Sequence, residues 1–198
     1  MKYHLLLAFL FFNLFSNAQD CFLYTKEGEK IVLRNYDQFG VYKSKVAYTL
    51  WNNGEGGRER YIHIDKIEKL EAHGITYKTY KRNGEKDDFF ARVLIDSPDK
   101  KLIVGYFRWG QNFDRLFLRH EIIDNNNNLI EKAAYKLYGT KPFYEKQDLM
   151  FAMVKKYFAN CTEAIESMTH FQKLVATEKI EEYVAFGFSL QNKIFTCE

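Results

Sequence analysis

The sequence predicts an α+β fold: an antiparallel β-rich body, arranged as a meander, barrel or sandwich, followed by a cluster of two to three C-terminal helices. Three observations predict it. From Cys21 to about Leu137, short apolar runs of strand length alternate with Gly, Asn, Asp and Pro turn signals. Beyond residue 141 the apolar residues recur four apart, which is the spacing of a helix face. Aromatic residues make up 17% of the chain and proline occurs only twice, a composition suited to a packed core and not to a disordered chain.

The chain opens on an export signal. Lys2 supplies a positive start, the run from Leu5 to Phe15 is apolar except for Asn13, and Ser16-Asn17-Ala18 sets small residues at a cleavage site. The run is shorter than the roughly 20 residues of a membrane span. Asp20, where a lipid-modified cysteine wants a small residue before it, argues for a mature chain that starts at Gln19 without a lipid. The expected organisation is a signal at 1–18 and one α+β domain at 19–198, β-rich over 19–140 and helical over 141–198. No other segment is long and apolar enough to cross a bilayer, so the expected location is the periplasm, the cell surface or the medium.

The elements follow in order. Cys21–Thr25 and Lys30–Arg34 flank Lys26-Glu27-Gly28-Glu29, a hairpin with its turn glycine in place. Val41–Trp51 reads as one strand with partial alternation, broken by the glycine loop 52–57. Strands are expected again at Arg58–Ile64, Ile67–Leu70 and Ile75–Tyr80. Phe89–Ile95 and Leu102–Trp109 are joined by Asp96-Ser97-Pro98-Asp99-Lys100, a turn of ordinary chemistry. Leu116–Ile123 and Leu129–Leu137 flank Asp124 and four asparagines, which tolerate left-handed backbone and suit a hairpin tip. One helical stripe runs through Leu149, Met150, Met153, Val154, Tyr157 and Phe158, with its methionines in the core. A second runs through Cys161, Ala164, Ile165, Met168, Phe171 and Val175, with Asn160 as cap. A third, short helix is expected from Thr177 towards Gly187.

Cys21, Cys161 and Cys197 match no zinc spacing. In an oxidising compartment an odd count leaves one thiol over. The expected bridge is Cys21–Cys197 or Cys161–Cys197.

The strand–turn–strand from Phe22 to Ile31, the segment Ile64 to Leu70 with Gly74-Ile75-Thr76-Tyr77 after it, and Tyr157-Phe158-Ala159-Asn160-Cys161 leading into a helix together resemble a family of exported proteins of the Bacteroidota. Its members carry a short signal, a glycine hairpin in the first strand pair and helices around a cysteine. A signal ending in Asn17-Ala18-Gln19 is similar to that group as well. The family has no assigned activity, so the resemblance implies a fold and a compartment, and no mechanism or cofactor.

Net charge is +3, with 29 basic against 26 acidic residues mixed along the chain, so no basic stripe marks a nucleic-acid partner. Two sets of side chains are weak metal candidates: His63 with Asp65, and His120 with Glu121 and Asp124. Neither has three ligands at a spacing suited to a catalytic zinc site, and both sets read more simply as strand-surface residues. No nucleophile elbow or phosphate loop occurs. The stretch 106–117 gathers Tyr106, Arg108, Trp109, Phe113 and Arg115, residue types that dominate binding hot spots. The expectation is therefore a non-enzymatic envelope or secreted binding protein without a cofactor. Its candidate partner is an envelope protein or a glycan. The alternative is a metal-dependent or other small-molecule-acting periplasmic enzyme.

Overall fold

A computed structural model describes residues 21–33, 38–42, 44–50, 57–72, 74–109, 115–136, 142–176 and 193–198. Residues 1–18 (expected to be a signal), the loop residues 52–56 and the helix expected from Thr177 lie outside the described residues.

The order of elements is β1 (Cys21–Thr25), β2 (Lys30–Leu33), β3 (Gln38–Val41), β4 (Lys45–Thr49), β5 (Glu59–His63), a 3-10 turn (Ile64–Lys66), β6 (Ile67–Ala72), β7 (Ile75–Tyr80), β8 (Phe89–Asp96), β9 (Lys100–Trp109), β10 (Arg115–Asp124), β11 (Leu129–Lys136), α1 (Pro142–Tyr157), α2 (Thr162–Ala176) and β12 (Phe195–Thr196). The fold is α+β, as predicted: an antiparallel sheet with two helices after it. Its strands run β11-β10-β9-β8-β7-β6-β1-β2, and a separate sheet runs β3-β4-β5. The segment Val41–Trp51 is not one strand. Tyr42 N–H donates to the Lys45 carbonyl at 2.7 Å, closing a hairpin between β3 and β4 where polar Lys43-Ser44 interrupts the alternation.

Strand alternation divides the large sheet into two faces. On the inner face, Leu23, Leu33, Ile67, Leu70 and Phe90 meet Val46, Tyr48 and Ile62 of the small sheet. Further along the same face, Leu94, Leu102, Val104, Leu118 and Ile122 meet the helices through Met150, Phe151, Met153, Val154, Phe158 and Met168. All three methionines are core residues, as expected. Leu149, expected in the stripe, is 62% exposed because it lies one step outside the face that α1 turns to the sheet. Between the two apolar clusters β8 places Arg92, buried, whose Nη1 donates to the Lys193 carbonyl at 3.1 Å.

The C-terminal strand is held from several sides. β12 pairs in parallel with β8, Phe195 beside Ile95, and Phe195 is fully buried. Cys197 is bonded to Cys161, the second of the two expected bridges, and Cys21 is buried and not in a disulfide. Cys161 also accepts the first helical bond of α2, from Ile165 N–H at 3.0 Å. That makes Cys161 the cap in place of Asn160, whose side-chain amide donates instead to the Glu198 carbonyl at 2.7 Å. The bond closes a sequence separation of 36 residues, for which chain entropy gives about 4 kcal/mol. Cys197→Ser should lower the unfolding free energy by roughly that amount, read from urea titrations of oxidised wild type and variant.

On the outer face, Gly105 gives the Phe89 ring room. A Cβ at Gly105 would lie 2.9 Å from that ring and 2.4 Å from the Phe90 carbonyl oxygen. The guanidinium groups of Arg119 and Arg82 stand 5.0 and 5.3 Å from the ring centre. Both reach Glu121, which is fully buried: Arg82 Nη1 at 2.9 Å from Oε2, and Arg119 at Oε1. Arg82 also donates to the Asp87 carbonyl. Removing one partner from a buried ion pair leaves charge desolvated and uncompensated. Arg82→Met should therefore cost about 3 to 5 kcal/mol. Arg82→Met combined with Glu121→Leu should cost less than the single change, as measured by chemical denaturation.

Candidate functional site

A groove of about 290 Å³ opens where the β1–β2 hairpin faces the small sheet. Its position follows from local chemistry. Gly28 adopts φ 87° in the hairpin turn, Thr25 N–H donates to the Glu29 carbonyl at 2.9 Å, and Thr25 Oγ1 accepts from Glu29 N–H at 3.1 Å. The turn is fixed to the opposite wall by Lys26 N–H donating to the Lys66 carbonyl at 2.9 Å. The 3-10 turn is in turn fixed to the β3–β4 connection by Ile64 N–H donating to the Ser44 carbonyl at 3.0 Å. Ile31, Tyr48 and Ile62 give the groove apolar lining, and Glu27, Glu29, Tyr61, His63 and Lys66 are its exposed polar and aromatic residues.

Tyr61 is 49% exposed, with Lys45 Nζ 3.7 Å from its ring centre and its hydroxyl donating to Glu59. That hydrogen bond, more than any other cause, holds the phenol above its ordinary pKa. A pocket at the small end of ligand-site volumes, apolar inside and polar at the edge, is suited to non-covalent capture of a small group.

Of the residues singled out in the sequence, only His63 lines this groove. Asp65 does not share a strand face with it, because β5 ends at His63 and the chain enters the 3-10 turn there. His120 and Glu121 are not strand-surface residues: both are completely buried, on opposite faces of β10. Asp124 is occupied by the asparagine turn. Its Oδ1 accepts from the N–H groups of Asn126 and Asn128, both at 2.8 Å, and its Oδ2 from the Asn128 amide at 2.7 Å. Asn127 takes the left-handed backbone expected of this run, at φ 60°. The tip is docked and not free, since Asn83 donates to Asn126 and Asn128 and Asn125 donates to the Pro98 carbonyl. Among the described residues, no three His, Cys, Asp or Glu side chains converge as a metal site.

The side chains of Tyr106, Arg108, Trp109 and Arg115 lie outside the described residues, as does Phe113 altogether. The backbone of the first four is strand, with Trp109 opposite Arg115 and Arg108 opposite Leu116. No helix among the described residues is long and apolar enough to cross a membrane. Scanned against family models, curated proteins and solved structures, the chain finds no match.

His120, away from this groove on β10, offers a measurable handle on the buried polar residues of the large sheet. Burial, and then the positive charge of Arg92, push its pKa down to about 3. The unfolded chain binds a proton near pH 6.5 that the folded chain refuses, so stability falls as pH drops from about 6.5 towards 3. The slope attributable to this one group approaches 1.4 kcal/mol per pH unit, at about the level of one proton. Urea midpoints between pH 7.5 and pH 5 should fall in wild type and fall less steeply in His120→Leu.

Proposed function

We propose that the protein is an exported binding protein, non-enzymatic, that receives a group of its partner in the groove between the β1–β2 hairpin and the small sheet. The observation that carries this is the groove's composition: an apolar interior of Ile31, Tyr48 and Ile62 under an exposed tyrosine and ionisable edges of both signs. Aromatic anchors ringed by polar groups are the usual makeup of a binding hot spot. Its backbone is tied wall to wall by hydrogen bonds, so little order has to be gained on binding. An envelope protein or a glycan is the partner class, and the stretch 106–117 is the neighbouring candidate surface, since β3 lies beside β9. His63 supports one second reading, in which the groove holds a small molecule for proton transfer or a metal.

Tagged full-length protein should retain a stoichiometric partner from envelope or medium fractions of its host. Tyr61→Ala, at an exposed position that leaves the core intact, should weaken that retention about tenfold or more. Equal retention by variant and wild type would remove the groove from the proposal. Stoichiometric metal in the purified protein would favour the second reading.

A further inference from the structure

The hairpin that walls the groove has a second side, and there the sheet breaks a rule of strand pairing. In register across four strands stand Lys30 on β2, Tyr24 on β1, Lys69 on β6 and Lys78 on β7, all on the outer face. Lys69 and Lys78 are directly opposite, an arrangement of like charges that destabilises a sheet. Glu71 takes Lys69 at 2.6 Å and the Tyr24 hydroxyl at 3.2 Å, but neither Lys30 nor Lys78 has an ion pair among the described residues. Lys30 lies instead over the Phe22 ring at 3.9 Å, and Val32 beside Phe22 is 42% exposed. Three ammonium groups thus stand in one row over aromatic rings held on a paired sheet, with Glu71 bonded to Lys69 and Glu68 close enough to act on it. Local rules give way in this fashion where a surface has a task.

We infer that this face binds an acidic polysaccharide, whose carboxylates bridge Lys30, Lys69 and Lys78 while its sugar rings lie along Phe22 and Val32. The charge excess selects an anionic partner. The shape of the face selects among anions: the row runs inward from the edge strand β2 across β1 and β6 to β7, on the flat of the sheet, with strands about 4.8 Å apart. Peptides are ordinarily taken by backbone pairing along a sheet edge or in a groove, whereas these ammonium groups stand on the face of the sheet, turned away from the pairing groups of β2. A chain of rings carrying one charge each needs only a flat, cationic, partly apolar floor. This names a ligand class for the binding role proposed above and rests on that reading, but through a different face.

The full chain should bind polygalacturonate with an affinity that falls as salt rises. Lys30→Gln with Lys78→Gln should weaken it about tenfold, while neutral dextran should not bind. Both lysines are exposed, so circular dichroism should be unchanged. Lys78→Arg, which keeps the charge, should retain binding. Absence of polygalacturonate binding would overturn the inference, as would tighter binding of polyglutamate or of single-stranded DNA, or an unaffected double variant. Tyr61→Ala separates the two sites: it should leave polygalacturonate binding intact, so loss of the groove and loss of this face are read independently.

Discussion

Strand β8 has no exposed side, and the arrangement of the molecule depends on that. Its first half pairs with β7 and its second with β12, while β9 runs along the other edge. Its side chains pass on one face from Phe90, in the core under the small sheet, through Arg92, to Leu94, in the core under the helices. A buried guanidinium costs too much to leave unsolvated. Its bond to the Lys193 carbonyl therefore couples the division between the two cores to the position of the C-terminal strand. Desolvation lowers the Arg92 pKa, and Arg92 in turn depresses that of His120 two strands away. Burial and the neighbouring Arg92 charge thus keep His120 neutral at the pH where Arg92 is charged.

How far this could be read from the sequence depends on how local each constraint is. Hairpin turns are set by a few adjacent residues, and Gly28, the Asp96–Lys100 turn and the asparagine run all behave as their chemistry dictates. Helical stripes are local too, and α1 departs only at Leu149. The division of Val41–Trp51 into two strands was less legible, since its alternation was weak on both sides of Lys43-Ser44. The burial of Glu121 was not legible at all. It needs Arg82, which precedes β8, and Arg119, two positions away on the same strand, to meet beside Phe89. Nothing in the spacing of those residues announces that meeting. Likewise the cysteine bridge was narrowed to two pairings, and choosing between them required knowing that β12 lies on β8 near the start of α2.

The groove was missed for the same reason. Glu27 and Glu29 look like turn residues and Tyr48 and Tyr61 like ordinary strand aromatics until the small sheet is placed over the hairpin. His63 was visible as a titratable residue, but the partner sought for it, Asp65, was the wrong one: alternation ends where the strand does.

The two faces of the large sheet meet the cost of burying charge differently, and this orders their roles. On the inner face apolar clusters on either side of Arg92 bind the small sheet and the helices to the body, and Glu131 at the margin pairs with Lys156 of α1 at 3.0 Å. On the outer face charge is graded along the strands. Around Phe89 it is paired, with Glu121 and Arg82 fully buried, Arg119 partly exposed beside Glu121 and 3.9 Å from Glu85, and Lys132 paired with Glu85 at the margin. Towards β1 and β2 the cover ends, the carboxylates thin to Glu68 and Glu71, and lysines rest on aromatic rings. Dense pairing at one end resists exchange with any ligand, because every buried charge already has its complement. Sparse pairing at the other leaves ammonium groups whose strongest available interaction is with something from solution. The same sheet therefore supplies its own anchor and its own open surface, which adjoin where Lys78 of β7 pairs with the buried Ala91 of β8.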